Sequence, residues 1–385
     1  MSRNLLFSNL LILFISQSSL LFPQTIGFRG QLSGWAGVSN PEDWNATAGS
    51  RYVPELSGQW KSVDFETSVN GYWTQNRING DWLEADSETK PYRMWVRFSQ
   101  NQWEIRAGLQ KINFGSAAML RPLMWFDRID PRDPLQMTDG VWGVLGRYYF
   151  QSNANIWLWG LLGNDDPKGW EVFGSDKNIP EFGGRIQVPT SQGEVAFTLH
   201  HRESSLMNSH LINLYTGIRC PISCLPPNIE NRFALDGKWD IGPGIWFEGA
   251  YINQDFPFEY YLSNQHMLTI GMDYTLGLGN GLHAMVEHLY IEFSEEAFSK
   301  GQCARFTASS ISYPIGLLDQ ISAMFYYDWD NEELYRFINI QRMYDRWSLY
   351  LMAFWNPDTF NLPQMNQAHT FFAGKGIQFM IVFNH

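Results

Sequence analysis

The sequence predicts an all-β fold, a transmembrane antiparallel up-and-down β-barrel. Three observations predict it. An apolar leader is followed by no second apolar run long enough to cross a bilayer. Many later segments alternate apolar and polar residues with period two. Short and long connections between those segments alternate along the chain. The composition agrees. Charged residues are 17 % and aromatics 16 %, with 17 Trp, yet mean hydropathy is −0.27. Helical membrane spans are excluded, because each needs about 20 apolar residues. Only helices and closed barrels satisfy their backbone in lipid. A barrel uses aromatics outside and polar residues in its lumen.

The leader reads as an export signal. Arg3 supplies a positive charge, Leu5 to Ile15 form an apolar run broken by Ser8 and Asn9, and Ser16 to Ser19 are polar. No A-x-A site is present, so cleavage is placed between Ser18 and Thr25. Residues 1–24 are expected to be the signal peptide and 25–385 one barrel domain, since no linker or composition shift divides them. The net charge of −12 argues against nucleic acid as a partner.

The alternation is clear in four segments. Val63, Phe65 and Val69 oppose Asp64, Glu66, Ser68 and Asn70. Trp103, Ile105, Ala107 and Leu109 oppose Glu104, Arg106, Gly108 and Gln110. Val195, Phe197 and Leu199 oppose Glu194, Thr198, His200 and Arg202. Phe233, Leu235 and Trp239 oppose Arg232, Asp236, Lys238 and Asp240. Such alternation places one face in an apolar medium and the other in a polar one. A soluble sandwich does the same, so the connections carry the discrimination. Short turns fall at Gln59–Ser62, Gln100–Gln102, Gln151–Asn153, Pro189–Gln192, Ile241–Pro243, Leu278–Gly281, Ile315–Leu318 and Tyr344–Arg346. Longer segments fall between them, at 39–50, 75–90, 113–140, 163–180, 203–230, 254–265, 295–303, 331–334 and 356–375. Outer-membrane barrels have short periplasmic turns and long extracellular loops. The strands between number about 18, with 16 the alternative, and an even count puts both termini at the periplasmic end. Segments 153–162, 304–313 and 335–343 alternate poorly. In the last strand Ile377, Phe379, Ile381 and Phe383 share one face. This resembles the C-terminal assembly signal of outer-membrane proteins, displaced by Asn384 and His385.

Gly108-Leu109-Gln110-Lys111-Ile112-Asn113-Phe114-Gly115 leads into Phe126-Asp127-Arg128-Ile129-Asp130-Pro131-Arg132-Asp133-Pro134. A strand ending in G-x-Q-x-I-x-x-G before a D-P-R-D-P loop resembles a pattern of porin-like barrels, the broad group that includes alginate-export and capsule-assembly barrels. The resemblance implies a solute or polysaccharide path through the lumen and fixes no substrate. Pro122, Pro131 and Pro134 stiffen the connection at 113–140 and keep it from adding a strand. Its apolar Met119, Leu120, Leu123, Met124, Trp125 and Phe126 argue against disorder. The loop is expected to pack into the lumen; an outside cap is the alternative.

The expected pore constriction comprises Glu66, Arg93, Trp95, Arg97, Arg106, Asp127, Asp130 and Asp133. A turn centred on Asn101 and Gln102 sets Arg97 opposite Arg106, both inward and at middle depth. Like charges directly opposed need compensation, and Glu66 with Asp127, Asp130 and Asp133 are the expected compensators. Trp157 and Trp159, on one face of their strand, and Trp95, between Arg93 and Arg97, offer a sugar-stacking track; the interfacial girdle is the alternative, and it is the expectation for most tryptophans, with Trp95 the exception.

Other chemistry finds little footing. His200, His201, Glu203, Ser204 and Ser205 cluster, but adjacency supplies no triad geometry, and His200 and His201 point to opposite faces. Asp127, Asp130 and Asp133 lack EF-hand spacing. No P-loop, Rossmann fingerprint or zinc motif occurs, so no cofactor or metal is expected. Cys220, Cys224 and Cys303 suggest a loop disulfide in an oxidising compartment, with the pairing open. The expected function is an outer-membrane channel for small hydrophilic solutes or oligosaccharide. An outer-membrane hydrolase and a structural barrel without an open pore are the alternatives. Expected partners are outer-membrane lipid, the barrel-assembly machinery through the last strand, and a small hydrophilic or carbohydrate solute.

Overall fold

The computed structural model describes residues 25–41, 44–78, 80–205, 228–255, 263–359, 362 and 371–385. The chain runs β1 (Thr25–Asn40), β2 (Asn45–Trp60), β3 (Val63–Ile78), β4 (Asp81–Trp82), β5 (Asp86–Ser99) and β6 (Trp103–Gln110). It continues β7 (Val141–Tyr149), β8 (Asn155–Leu161), β9 (Glu181–Thr190), β10 (Gly193–Ser204), β11 (Asn228–Asp240) and β12 (Gly244–Gln254). It ends β13 (Asn264–Leu276), β14 (Leu282–Ser294), β15 (Gln302–Pro314), β16 (Asp319–Asp328), β17 (Glu333–Met343), β18 (Trp347–Trp355) and β19 (Lys375–Asn384). β4 is a short hairpin return on β3. The rest pair in sequence order, all antiparallel, and β19 pairs β1 to close an 18-stranded barrel. All three poorly alternating segments are strands.

The outer surface carries the apolar face the alternation requires. Leu158, Ile186, Phe197, Leu235, Ile270 and Phe379 are exposed there. The first strands are longer than expected. β1 to β3 are 16 residues each, against about 9–11 needed to cross a bilayer. Segments 39–50 and 75–90, expected as loops, are therefore largely strand. Polar cross-strand pairs support the extended ladder; Thr47 Oγ1 donates to Asn76 Oδ1 at 2.8 Å. In β5 the register shifts, so that Ser68 pairs Arg93 while Val69 pairs Pro91. Proline lacks the ladder donor and is tolerated at such a bulge.

Closure extends past Phe383. Gln31 faces Asn384, and Gly30 and His385 exchange both backbone hydrogen bonds at 3.0 Å. The His385 ring lies outside, between Phe28 and Tyr52.

Candidate functional site: an internal loop and the lumen beside it

The connection from β6 to β7 folds into the barrel, as expected. Its motif explains how. Gly108 has φ +117°, and a Cβ there would overlap the Met94 carbonyl. Gln110 is fully buried and donates to the Arg106 and Gly143 carbonyls, both at 3.2 Å. Ile112 enters the interior core with Phe114, Met119, Leu120, Leu123, Trp125 and Phe126. Gly115 has φ +94°, and a side chain there would overlap the Glu248 carboxylate.

Two carboxylates of the far wall receive the loop. Glu248 on β12 accepts from Ala117 N at 2.6 Å and Leu123 N at 3.3 Å. Glu287 on β14 accepts from Ala118 N at 2.7 Å, Met119 N at 2.9 Å, Leu120 N at 2.7 Å and Trp246 Nε1 at 3.1 Å. A carboxylate offers about four acceptor sites, so Glu287 is saturated. Thr269 Oγ1 on β13 returns a bond to the Leu120 carbonyl at 2.8 Å. Sequence reading passed over Glu248 and Glu287. Their signal was an inward acid with no basic residue opposite it on either side, since Glu248 pairs Asp236 and Thr269, and Glu287 pairs Gly271 and Ala308.

Filling is one-sided. Inward residues of the far wall, among them Leu289, Ala308, Tyr335 and Phe337, are fully buried in or beside the loop core. Along β1 to β6 the inward Arg51, Asp64, Glu66, Trp95, Arg97 and Arg106 keep partial exposure, while Ser68, Asn70, Arg93 and Glu104 are buried. At the loop end this side opens into a cavity of about 480 Å³. Trp35, Arg51, Tyr72, Tyr92, Lys168 and Phe372 are among the residues lining it.

The eight expected constriction residues divide into two groups. Arg97 and Arg106 are direct cross-strand partners, as the turn required. They sit by the turn end of β5 and β6 rather than at middle depth, because Ser99 ends β5. Trp95 is inward, with Arg106 over its ring at 4.5 Å and Arg97 at 6.0 Å. Glu66 is its partner on β3. Arg93 is buried higher up and donates to the Thr138 carbonyl at 3.0 Å, fastening the loop's return. The loop acids lie elsewhere. Asp127 forms a buried bidentate pair with Arg121 at 2.6 and 3.1 Å. Asp130 meets Arg132 at 2.7 Å. Asp133 caps Leu135 N at 2.9 Å and Met137 N at 3.1 Å.

The expected compensators are thus replaced by others. Asp64 binds Arg97 at 2.8 Å, and Glu104 bridges Arg97 at 3.3 Å and Arg147 at 3.0 Å. Asp64 and Glu104 lie directly across the ladder, at Asp64↔Arg97 and Glu104↔Arg147, whereas the loop acids find partners inside their own loop.

Electrostatics at the mouth follow burial. Burial pushes the Asp133 carboxyl above its ordinary range, and the Leu135 and Met137 N–H groups offset this in part. Burial would also raise Asp139. The hydrogen bond and charge of Lys90, at 2.7 Å, with Lys168 and Arg128 nearby, hold it below its ordinary range instead.

Trp157 and Trp159 are not girdle residues. Both face inward, because Leu158 between them is the exposed one. Trp159 stacks on Phe114 at 6.0 Å, and Arg147 lies 3.8 Å over Trp157. His200 and His201 do face opposite ways. His200 is buried against Glu181, at 3.2 Å, and Trp159, while His201 meets Asn231. Cys303 is exposed and unbridged. Cys220 and Cys224 lie outside the described residues, as does the leader.

No family model and no curated protein matches the chain. Among solved structures it is similar to Acinetobacter baumannii OccAB1, at 10 % identity and TM-score 0.55, covering 96 % of this chain and 98 % of that one. Pseudomonas aeruginosa OprD aligns at 7 % identity and TM-score 0.55, over 94 % and 95 %. Pseudomonas aeruginosa OccK5 aligns at 9 % identity and TM-score 0.54, over 94 % and 98 %. The likeness is one of fold: the chain forms a closed antiparallel β-barrel similar to those of these proteins.

Proposed function

We propose that the chain is a passive channel of the outer membrane, passing small hydrophilic solutes or short oligosaccharides. One observation carries the reading: the internal loop is fixed to one wall and leaves Arg51, Asp64, Glu66, Arg97 and Arg106 of the other wall partly exposed. A barrel serving only as a scaffold has no need to keep Arg97, Arg106, Asp64 and Glu66 unburied along one side. A narrow lumen lined by both signs of charge favours polar solutes over apolar ones. Trp95, flanked by Arg97 and Arg106, is the proposed stacking surface at the turn end, with Glu66 across from it. Arg93 and the loop acids Asp127, Asp130 and Asp133 act one step back, by holding the loop in place.

The same reading makes residues 1–24 a cleaved export signal. It assigns the last strand to recognition by the barrel-assembly machinery, and the outer belt to lipid. It assigns no catalytic step; His200 is engaged by Glu181 and Trp159. Liposome swelling tests it. Proteoliposomes should swell in arabinose or glucose and progressively less in di- and trisaccharides. No swelling in any sugar, with correctly folded barrel in the vesicles, contradicts it.

A further inference from the structure

At the loop end of the lumen, one cross-strand row of inward residues runs over four strands: Trp35 on β1 pairs Gly49 on β2, Gly49 pairs Thr74 on β3, and Thr74 pairs Asp86 on β5. The indole of Trp35 lies across Gly49, where a Cβ would overlap the ring. A Cβ at Gly37, the next inward position of β1, would likewise overlap the ring of Phe371. Arg51 stands 5.7 Å from the centre of the Trp35 ring. Two aromatic rings are thus seated where side chains are missing, and a ring already held in place costs little further entropy on binding. Both remain part exposed and line the mouth cavity of about 480 Å³. That volume falls within the range of about 300–1,000 Å³ of small-molecule sites.

Hydrogen-bonding groups surround this platform. The neighbouring inward rows set Arg51 opposite Tyr72 and Thr47 opposite Asn76. Tyr72 Oη donates to Asp86 Oδ2 at 3.2 Å, and Thr47 Oγ1 donates to Asn76 Oδ1 at 2.8 Å. Asp86 is exposed, and a carboxylate with about four acceptor sites keeps room for hydroxyl donors beside Tyr72. Asn76 is engaged through its oxygen, which leaves its amide donors to a guest. Charge favours a neutral guest. Five basic and four acidic side chains line the cavity, so neither sign dominates. Lys90 meets Asp139 at 2.7 Å, Arg132 meets Asp130 at 2.7 Å, and Asp133 is taken by the Leu135 and Met137 N–H groups. An ion of either sign meets attraction and repulsion together. A polyhydroxylated ring meets donors and acceptors, and the C–H groups of its face pack on the negative face of an indole.

We propose that the mouth cavity is a binding subsite for a neutral sugar ring, which stacks on Trp35 with Phe371 at its edge, donates hydroxyl hydrogen bonds to Asp86 and accepts them from Asn76. Strands lie about 4.8 Å apart, so the indole laid over Gly49 leaves roughly 10 Å to Asp86, a gap that a sugar ring and the Asp86 side chain bridge. Tyr72 orients the carboxylate. The subsite rests on the channel reading for its place on a solute path, and it names the class of solute.

Isothermal titration of the full-length, detergent-purified barrel with maltotriose, cellotriose and mannotriose tests it. Wild type should bind at least one of these neutral trisaccharides. Trp35→Ala should weaken that binding at least about tenfold, a change of about 1.4 kcal/mol, with Trp35→Phe in between. Asp86→Ala, at an exposed position, should weaken it about threefold, as the loss of one hydrogen bond does. Heat-modifiable migration of each variant verifies the fold. Trigalacturonate, an anionic counterpart, should bind no more tightly than the neutral sugars. Absence of binding of all three neutral sugars by wild type, unchanged binding in the folded Trp35 and Asp86 variants, or tighter binding of trigalacturonate overturns the proposal. Sugar-driven swelling of proteoliposomes without Trp35-dependent binding would sink the subsite and leave the channel standing. Trp35-dependent binding without swelling would sink the channel alone.

Discussion

Glu248 and Glu287, on strands separated only by β13, grip one stretch of loop backbone between them: Glu248 takes Ala117 and Leu123, and Glu287 takes Ala118, Met119 and Leu120. This clamp decides which half of the barrel is filled.

Glu287→Gln should loosen the loop even though it is nearly isosteric. One carboxylate oxygen becomes an NH₂ group, which must face N–H donors. Each buried donor left unpaired costs about 1–3 kcal/mol. Limited proteolysis should cut the variant within 116–124 while wild type resists. Equal resistance would mean that apolar packing alone seats the loop.

Arg106→Glu should shift selectivity toward cations more than Arg97→Glu does. Arg97 is neutralised by Asp64 and Glu104. Arg106 stacks on Trp95 and makes no ion pair among the described residues. Its replacement by Glu also removes the cross-strand repulsion with Arg97, so folding is retained. Reversal potentials in a salt gradient measure the shift. Values unchanged in both folded variants would remove these arginines from the narrow part of the path.

The Lys90–Asp139 clasp at the mouth should fail only in acid. The Asp139 carboxyl is held below its ordinary range, so its contribution is complete above the unfolded value and is lost as pH falls through the folded one. Stability from this group is therefore flat from pH 7 to about 5 and declines below about 4. Both side chains are about a third exposed, which limits the effect to about 0–1 kcal/mol. Melting temperatures at pH 7 and pH 3.5 should differ more in wild type than in Asp139→Asn. The same difference in both would show that the clasp contributes nothing.

Truncation of the last strand should be graded. Removing Asn384 and His385 deletes the paired Gly30–His385 bonds and the contact of His385 with Tyr52 at 3.1 Å. At about 1 kcal/mol per bond, this lowers the heat-modification temperature but allows assembly. Removing Phe383 as well deletes its ring contact with Trp347 at 4.5 Å and breaks the apolar face, and assembly should fail. Equal assembly of both would place the signal elsewhere.

Much of this was legible in the sequence because a barrel wall is read with period two. The inward face of β5 and β6, the Arg97–Arg106 register and the turn at 100–102 all follow from parity. Trp157 and Trp159 obey the same parity, but aromatics serve a girdle and a lumen equally well, and composition does not choose between them. The loop acids were misassigned for a different reason. Asp127, Asp130 and Asp133 find partners within their own loop, and such contacts follow from its irregular backbone rather than from any period. Glu248 and Glu287 were passed over because each looks like one more polar lumen residue until the loop backbone meets it.

The central claim is that an open lumen runs beside a loop fixed inside the barrel. Single-channel recording in planar bilayers tests it most directly, comparing wild type with a variant in which residues 116–124 are replaced by a short Gly-Ser linker. Wild type should give small, uniform conductance steps, and the loop-shortened barrel should give steps several-fold larger. Equal steps from both, or no conductance from wild type with the barrel folded and inserted, would contradict the account.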